Sequence, residues 1–364
     1  RGAWWNHEAL VQTIFRNLDE IDQIRQASQY LQYEGLKYAL ERNRARAFRC
    51  SGSLPWQFNE PYPNAYCTSS VDYYGRPKPG YHAARAAYAP VHVAASFASS
   101  SLTGSVLEIG LDVCGSEGCD NLPIDGNSLE NTGEIKPLVL LSQLFSADGH
   151  LLDAHQLSCQ PPVNGSFHAG DVALNAAGVT GDVALNAAGV TGEVALNAAG
   201  IAGDLLLLRL QLLDQQSNQL AANEYLFTRS KHFHDLFTTE KVRLDCLQQG
   251  RNLLITNPAP VVAWWINIQD AALLSAPGHV YTSSNYFCLL PGETHVVQID
   301  TSDESPDNRQ ILLEGFNCRQ DFTVTDCRPT ASAGSTSVTE PTWFDGLAPS
   351  NPVDHATDHA SQDK

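Results

Sequence analysis

Apolar positions follow two different rhythms along this chain. Between Asn17 and Arg46 they recur every three or four residues; after Pro90 they alternate, or run in short blocks between Ser, Gly and Asn clusters. The first rhythm predicts one long helix, with Ile21, Ile24, Ser28, Leu31, Gly35 and Tyr38 on its inner face and Arg25, Gln29, Gln32 and Arg42 outside. Asn17 is placed to cap it, with Asp19 and Glu20 in the first turn and Arg42, Arg44 and Arg46 in the last, each sign matching the helix dipole. The second rhythm predicts strands at His92–Phe97, Gly104–Asp112, Lys136–Phe145, Leu205–Leu213 and Ala222–Phe227. Strands at these spacings with no helices between them argue for an antiparallel sandwich of immunoglobulin type over residues 91–230. A second such sandwich is expected over 231–325, with strands at Val242–Leu247, Asn252–Asn257, Ala263–Gln269 and His295–Ile299. Adjacent Trp264 and Trp265 in a strand should point to opposite faces, one to the core and one to a domain interface or a sugar. Residues 326–364 are rich in Thr, Ser, Ala, Pro and Asp and predict a disordered acidic tail.

One segment breaks the strand rhythm. Over residues 170–202 the unit GDVALNAAGVT occurs twice unchanged and is followed by GEVALNAAGIA, a period of 11 residues. Near-identity of neighbours points to tandem duplication of a strand-and-turn unit, inserted as a loop between sandwich strands. Three units are few for a solenoid, and the rest of the chain lacks the period.

Composition narrows the partners. A formal net charge of −18 repels nucleic acid and anionic membrane surfaces, and no run of about eighteen apolar residues is available for a transmembrane helix. The nine Cys include no CxxC; Cys114 with Cys119 and Cys318 with Cys327 are near enough in sequence to pair, and the odd count leaves at least one thiol unpaired within the chain. Neither zinc nor any other metal or cofactor is expected. His355 and His359 at i and i+4 would share a helix face, but in a tail of this composition the spacing reads as accidental. The chain contains no Met and opens in mid-pattern on Trp4-Trp5, so residue 1 is not expected to be the native start. Trp4, Trp5 and His7 suit either a pocket mouth or a packed barrel rim.

The densest chemistry lies between Gly52 and Pro90. A short apolar run, Ser53-Leu54-Pro55-Trp56, ends in Gln57, Asn59 and Glu60; a Pro-rich loop follows, then a helix expected at Tyr81–Tyr88. A strand ending in polar groups and returning through a helix reads as one βα unit, and in a closed α/β barrel ligand contacts lie at the C-terminal ends of strands. Trp56 offers a flat apolar face, Gln57 and Asn59 paired donors and acceptors, and Glu60 a carboxylate. That set suits a sugar ring, apolar on its C–H faces and rimmed with hydroxyls. It equally suits a hydrogen-bond network that closes a barrel around a buried Trp.

The motif WQFNEPYP, followed by SSVDYYGRPKPGYHAARAAYAPV, resembles the last barrel strand and barrel exit of glycoside hydrolase family 2, in its β-mannosidase-like branch. The family pattern is met by Trp56, Gln57, Asn59, Ser69, Ser70, Asp72, Tyr73, Gly75, Arg76, Lys78, Tyr81, Arg85, Ala89, Pro90 and Val91. Two positions depart from it: Glu60 stands for the family Asp and Tyr62 for a Trp. The helix before it resembles the penultimate barrel helix through Ser28, Gln29, Gln32, Glu34, Gly35, Glu41 and Arg44, its Glu residues read as solvated or salt-bridged. The run from Ser284 to Glu293, with Asn285, Phe287, Leu289, Pro291 and Gly292, is similar to the family's last-domain pattern.

The resemblance implies a mainly β chain: the C-terminal end of a (β/α)8 barrel (residues 1–90), two immunoglobulin-like β-sandwich domains and a disordered tail. It also implies the closing portion of a retaining, exo-acting β-glycosidase, with a β-mannoside or related β-glycoside as substrate. Such enzymes use two carboxylates about 5–5.5 Å apart; in the family both lie on earlier strands, and neither motif occurs here. No catalytic residue therefore carries over, and the chain alone is expected to be inactive, missing the N-terminal part of its own barrel. Trp56, Gln57, Asn59 and Glu60 carry over as substrate contacts. The rival reading is a non-catalytic β-sandwich module that binds glycan or protein.

Overall fold

A computed structural model describes residues 8–64, 68–102, 104–115, 137–159, 165–176, 203–272, 279–302 and 308–325. These all belong to one compact unit, Arg1–Arg328. Trp4, Trp5 and His7, most of the repeat, Cys119, Cys327 and the tail lie outside the described residues, so the expectations placed on them have no structural counterpart here.

Three helices come first: α1 (Glu8–Phe15), α2 (Ile21–Arg44) and α3 (Pro79–Ala87). Helix α2 starts three residues later than the capping signal predicted. Asn17 has a positive φ of 51°, and the N-cap is Glu20, whose side chain makes no capping bond. Its buried face also differs. Gln26, Ala27, Tyr30, Tyr33, Lys37, Leu40 and Glu41 point inward, while Ile21 is 77% exposed. Hydrophobicity misplaced the face because two inward residues are charged: Lys37 pairs with Glu34 on the same helix and donates to the distant Glu224 carbonyl, and Glu41 meets the distant His92. Helix α3 carries Pro79 in its first turn, where the missing N–H costs nothing, and begins two residues before the expected Tyr81.

Among the described residues, no strand forms between α2 and α3. Ser53–Trp56 is irregular backbone, against the expectation of a barrel strand. A parallel strand needs hydrogen-bonded neighbours on its flanks, and no described strand lies beside this one. The expected barrel end is thus not seen: the described part of residues 8–90 forms three helices and irregular loops.

The strands form two pairs of antiparallel sheets. Strands β1 (Val91–Ser96), β2 (Val106–Gly115) and β5 (Gly165–Asn175) form one sheet, in the order β1-β2-β5. It faces a second, β4-β3-β6-β7, made of β3 (Leu138–Ser146), β4 (Leu151–Cys159), β6 (Leu205–Leu213) and β7 (Gln219–Thr228). Val93, Leu111, Leu140, Leu144, Tyr225 and Phe227 fill the core between them. Strand β6 shows how alternation builds this layer. Leu206, Leu208, Leu210 and Leu212 enter the sandwich core, whereas Leu205 and Leu207 face the helices and join Phe15, Tyr30 and Phe233. On that same outer face comes Arg209, which bridges Glu224 and Glu293 at 2.8 Å each. The first Val-Ala-Leu-Asn of the repeat, expected to be partly extended within an inserted loop, is the end of a strand: Val172–Asn175 pairs with Ile109–Val106 in β5·β2.

After the short α4 (Asp235–Thr238) come β8 (Asp245–Gln249), β9 (Asn252–Thr256), β10 (Ala263–Asp270), β11 (Val280–Thr282), β12 (Phe287–Leu289), β13 (Thr294–Thr301), β14 (Asn308–Glu314) and β15 (Arg319–Thr325). Sheets β12-β10-β14-β15 and β11-β13-β9-β8 enclose Leu253, Ile255, Ile266, Val297, Ile311 and Leu313. Trp264 and Trp265 are both buried, so neither serves as a sugar platform. A β-bulge between Ala263 and Ile266, with Trp265 at φ 54°, turns the second indole into an aromatic cluster with Tyr30, Tyr33, Tyr286 and Phe316. This is the interface role. Gly315 is required beside it, because a Cβ there would lie 2.5 Å from the Trp264 carbonyl oxygen.

Candidate functional site

The segment between α2 and α3 is organised by the chain after the Pro-rich loop. The Ser70 N–H donates to the Gln57 carbonyl at 2.9 Å, the Val71 N–H to the Phe58 carbonyl at 2.8 Å, and Thr68 Oγ1 to the Trp56 carbonyl at 3.1 Å. Gln32, from the middle of α2, donates through Nε2 to the carbonyls of Thr68 (3.0 Å) and Ser69 (3.2 Å). The long helix therefore holds residues 68–69, and these in turn hold 56–58. The sequence reading put Gln32 on the outer face of α2 and missed this role; a Gln amid family-like positions was the available signal.

The four candidate residues are adjacent in sequence but do not share one face. Trp56 is 78% exposed and Leu54 99%, with Phe58 and Asn59 also exposed and Gln57 half-buried. Glu60 turns inward and is 5% exposed. Its Oε1 accepts a short hydrogen bond from Ser69 Oγ and lies 3.3 Å from Lys78 Nζ. Its Oε2 is buried with no hydrogen-bond partner among the described residues. The longer carboxylate that departs from the family pattern is thus tied to two pattern residues, Ser69 and Lys78.

Beside Glu60 is an open hollow of about 300 Å³, lined by Glu60, Pro63, Asn64, Asp72, Tyr73, Tyr74 and Arg76. Asp72 builds its rim. One carboxylate oxygen accepts the N–H groups of Tyr74 and Arg76 at 2.9 Å each, and the other pairs with Arg76 Nε at 2.5 Å. Gly75, at φ +82°, supplies the left-handed residue that this tight turn needs. The turn presents the rings of Tyr73 and Tyr74, edge to face at 5.2 Å, with the Arg76 guanidinium 5.3 Å from the centre of the Tyr74 ring.

Behind the loop, α2 is locked to the first sandwich by a buried polar cluster. Glu41 accepts from Tyr225 Oη (2.7 Å) and Asn223 Nδ2 (2.8 Å), and its Oε1 lies 2.9 Å from His92 Nε2. Burial by itself raises the Glu41 carboxyl; the His92 hydrogen bond, the Lys37 charge and the Tyr225 hydroxyl outweigh it and hold the group below the usual carboxylate range. Glu34, two turns back, is raised instead, because burial dominates the opposing pull of Lys37. These glutamates are structural rather than solvated, and Glu41 lies among α2, β1 and β7 instead of in an open cleft. No group of three or more His, Cys, Asp or Glu among the described residues is placed to hold a metal ion. No described helix is long and apolar enough to cross a membrane.

No protein-family model and no curated protein sequence matches this chain. Solved structures do match its fold. The exo-chitosanase CsxA of Amycolatopsis orientalis superposes with a TM-score of 0.56 at 14% identity, covering 87% of this chain and 36% of that one. The β-D-mannosidase of Dictyoglomus thermophilum gives a TM-score of 0.54 at 14% identity, covering 85% of this chain and 32% of that one. Both are members of glycoside hydrolase family 2, which the sequence motifs resemble. At this identity the likeness is one of fold, and the chain spans about a third of the length of those enzymes.

Proposed function

We propose that this chain is the C-terminal portion of a retaining, exo-acting β-glycosidase of family 2, β-mannosidase-like, whose catalytic carboxylate pair is supplied by residues outside it. The observation that carries the reading is the fold likeness to an exo-chitosanase and a β-mannosidase over 87% and 85% of the chain. The motifs at Trp56–Asn59 and Asn285–Glu293 support it. So does the surface: Leu54, Trp56 and Phe58 alternate along one segment and are all exposed, as a barrel strand's side chains would be before neighbouring strands cover them. The division into barrel end (1–90), two sandwiches (91–230 and 231–325) and acidic tail belongs to the same proposal.

In the complete barrel, Trp56 is the sugar platform, Gln57 and Asn59 bond its hydroxyls, and Glu60 completes the substrate contacts from below. The chemistry is that of two carboxylates, one protonating the leaving oxygen and the other forming and releasing a glycosyl ester. The role of this chain is to shape the pocket and exclude water. Trp56→Ala in the enzyme extended upstream should lower kcat/KM on a β-glycoside by about tenfold or more while leaving the melting temperature within a degree or two. Unchanged kinetics would remove Trp56 from the site. The second reading, a non-catalytic β-sandwich module that binds glycan or protein, is favoured by one fact: every described strand lies in the two sandwiches.

A further inference from the structure

We infer that a second hollow, between α2, α4 and β14–β15, is a receptor for a small organic monocarboxylate: one anionic head on a short apolar body. The inference does not rest on the glycosidase reading. The hollow holds about 280 Å³, and Trp56, Gln57, Asn59 and Glu60 take no part in it.

Accessible donors carry the argument. The charged side chains that line the hollow are Arg25, Lys241 and Arg319 against Asp22 and Glu314. This corner is therefore positive by one charge, in a chain whose formal net charge is −18. The buried Glu314 accepts through Oε1 from Arg25 Nη2 at 2.9 Å and Arg319 Nη1 at 3.0 Å, and through Oε2 from Gln269 Nε2 at 3.0 Å. Arg25 directs its other nitrogens to Asp22 and Gln29. Arg319 does not: its Nε and Nη2 have no partner among the described residues, and its side chain is 60% exposed. That pair of N–H groups is a guanidinium edge that matches two carboxylate oxygens. Glu314 and Asp22 both lie against the remaining nitrogen, at 3.0 and 3.8 Å, so the edge is oriented before a ligand arrives. Lys241 adds a second open donor. It is exposed, its Nζ donates to the Phe316 carbonyl at 3.3 Å, and it meets no carboxylate among the described residues.

Charge and size then select the ligand. One carboxylate balances the one excess positive charge. A dianion such as a phosphate ester would bring a second negative charge against Asp22 and Glu314, and an ammonium would add to the excess. The rest of the wall is apolar: Phe237 and Phe316, packed edge to face at 5.1 Å, with Cys318 and the methylene stems of the cationic side chains. The volume lies at the lower end of small-molecule pockets, about 300 Å³, and so admits a small acid rather than a polymer.

The test uses this chain as it stands. Saturation-transfer NMR and calorimetric titration are run with benzoate, the cationic benzylamine, the dianionic phenyl phosphate and acetate, which lacks the apolar body. Benzoate should bind, and the other three should bind at least about tenfold more weakly. Lys241→Gln and Arg319→Gln should each weaken benzoate by about tenfold. Arg243→Gln, at an exposed arginine outside the hollow, should leave it unchanged. Lys241→Gln breaks no ion pair among the described residues, so it is the deciding variant if Arg319→Gln, which also loosens Glu314, fails to fold. No transfer to benzoate, any of the other three binding as tightly, or an affinity that Lys241→Gln does not change would each overturn the inference. Hydrolysis by the extended form is read separately. Benzoate binding absent with hydrolysis intact removes this site and leaves the proposed function standing; hydrolysis absent with benzoate binding intact does the reverse.

Discussion

Single residues here show how burial reverses expectations drawn from polarity. Trp265 looks like a candidate sugar platform in the sequence and is 2% exposed in the fold, clasped by Tyr30, Tyr33, Tyr286 and Phe316. Trp265→Ala should therefore cost about 3–5 kcal/mol of stability, measured by urea unfolding, with no specific effect on ligand contacts. His82 and Glu41 set the acid side of the stability profile. Burial, with Arg85 adding, pushes the His82 imidazole down to about 4 from its ordinary 6.5. The folded chain then binds fewer protons than the unfolded one across that window, so stability falls as pH drops from about 6.5 to about 4. Glu41, held below its usual range, adds a loss of the same sign as pH falls through its folded-state value. The unfolding midpoint should be lower at pH 5 than at pH 7, and His82→Gln should shrink that difference; a midpoint flat with pH would contradict the burial of both groups.

At the scale of elements, the strands were the legible part. Apolar alternation or short apolar blocks between turn residues located β1, β2, β3, β6, β7, β9, β10 and β13 to within a few residues, the blocks marking strands such as β1, β6 and β10 that are buried on both faces. Strands β4 and β14 escaped because polar residues interrupt them: Asp153, His155 and Gln156 in one, Asn308, Arg309 and Gln310 in the other. Helix α2 was legible as a helix but not in its orientation, since Lys37 and Glu41 enter the interior only with partners such as Glu224, His92 and Asn223 that sequence distance conceals. At the candidate site, motif spacing located Trp56–Glu60 but could not tell that Glu60 turns inward while Trp56 turns out. Gln32 is the element-level link between α2 and that loop. Gln32→Ala should speed hydrogen exchange at the amides of Ser70 and Val71, which bond the 57–58 carbonyls, while exchange in β6 stays unchanged. Equal rates in the variant would mean the loop holds its shape without the helix.

At the scale of the whole molecule, two sandwiches and a helical layer meet in a shared apolar core, where Phe15 and Tyr30 pack with Leu205, Leu207 and Leu226 of the first sandwich and Trp264, Trp265 and Phe316 of the second. The aromatic cluster around Tyr30 ties the helices to the second sandwich, and the Glu41 cluster ties them to the first. Arg209 joins the sandwiches directly through Glu224 and Glu293. Against this frame, Leu54, Trp56 and Phe58 stand out as exposed apolar surface. Under the proposed function, the cover for these side chains and the catalytic carboxylates come from residues outside this chain. The most direct test of that function is the hydrolysis of a panel of chromogenic β-glycosides by this chain beside a form extended upstream to its native start. This chain should be silent, and the extended form should cleave at least one β-glycoside, the β-mannoside foremost. An extended form silent on every glycoside would contradict it and leave the sandwiches as a binding module.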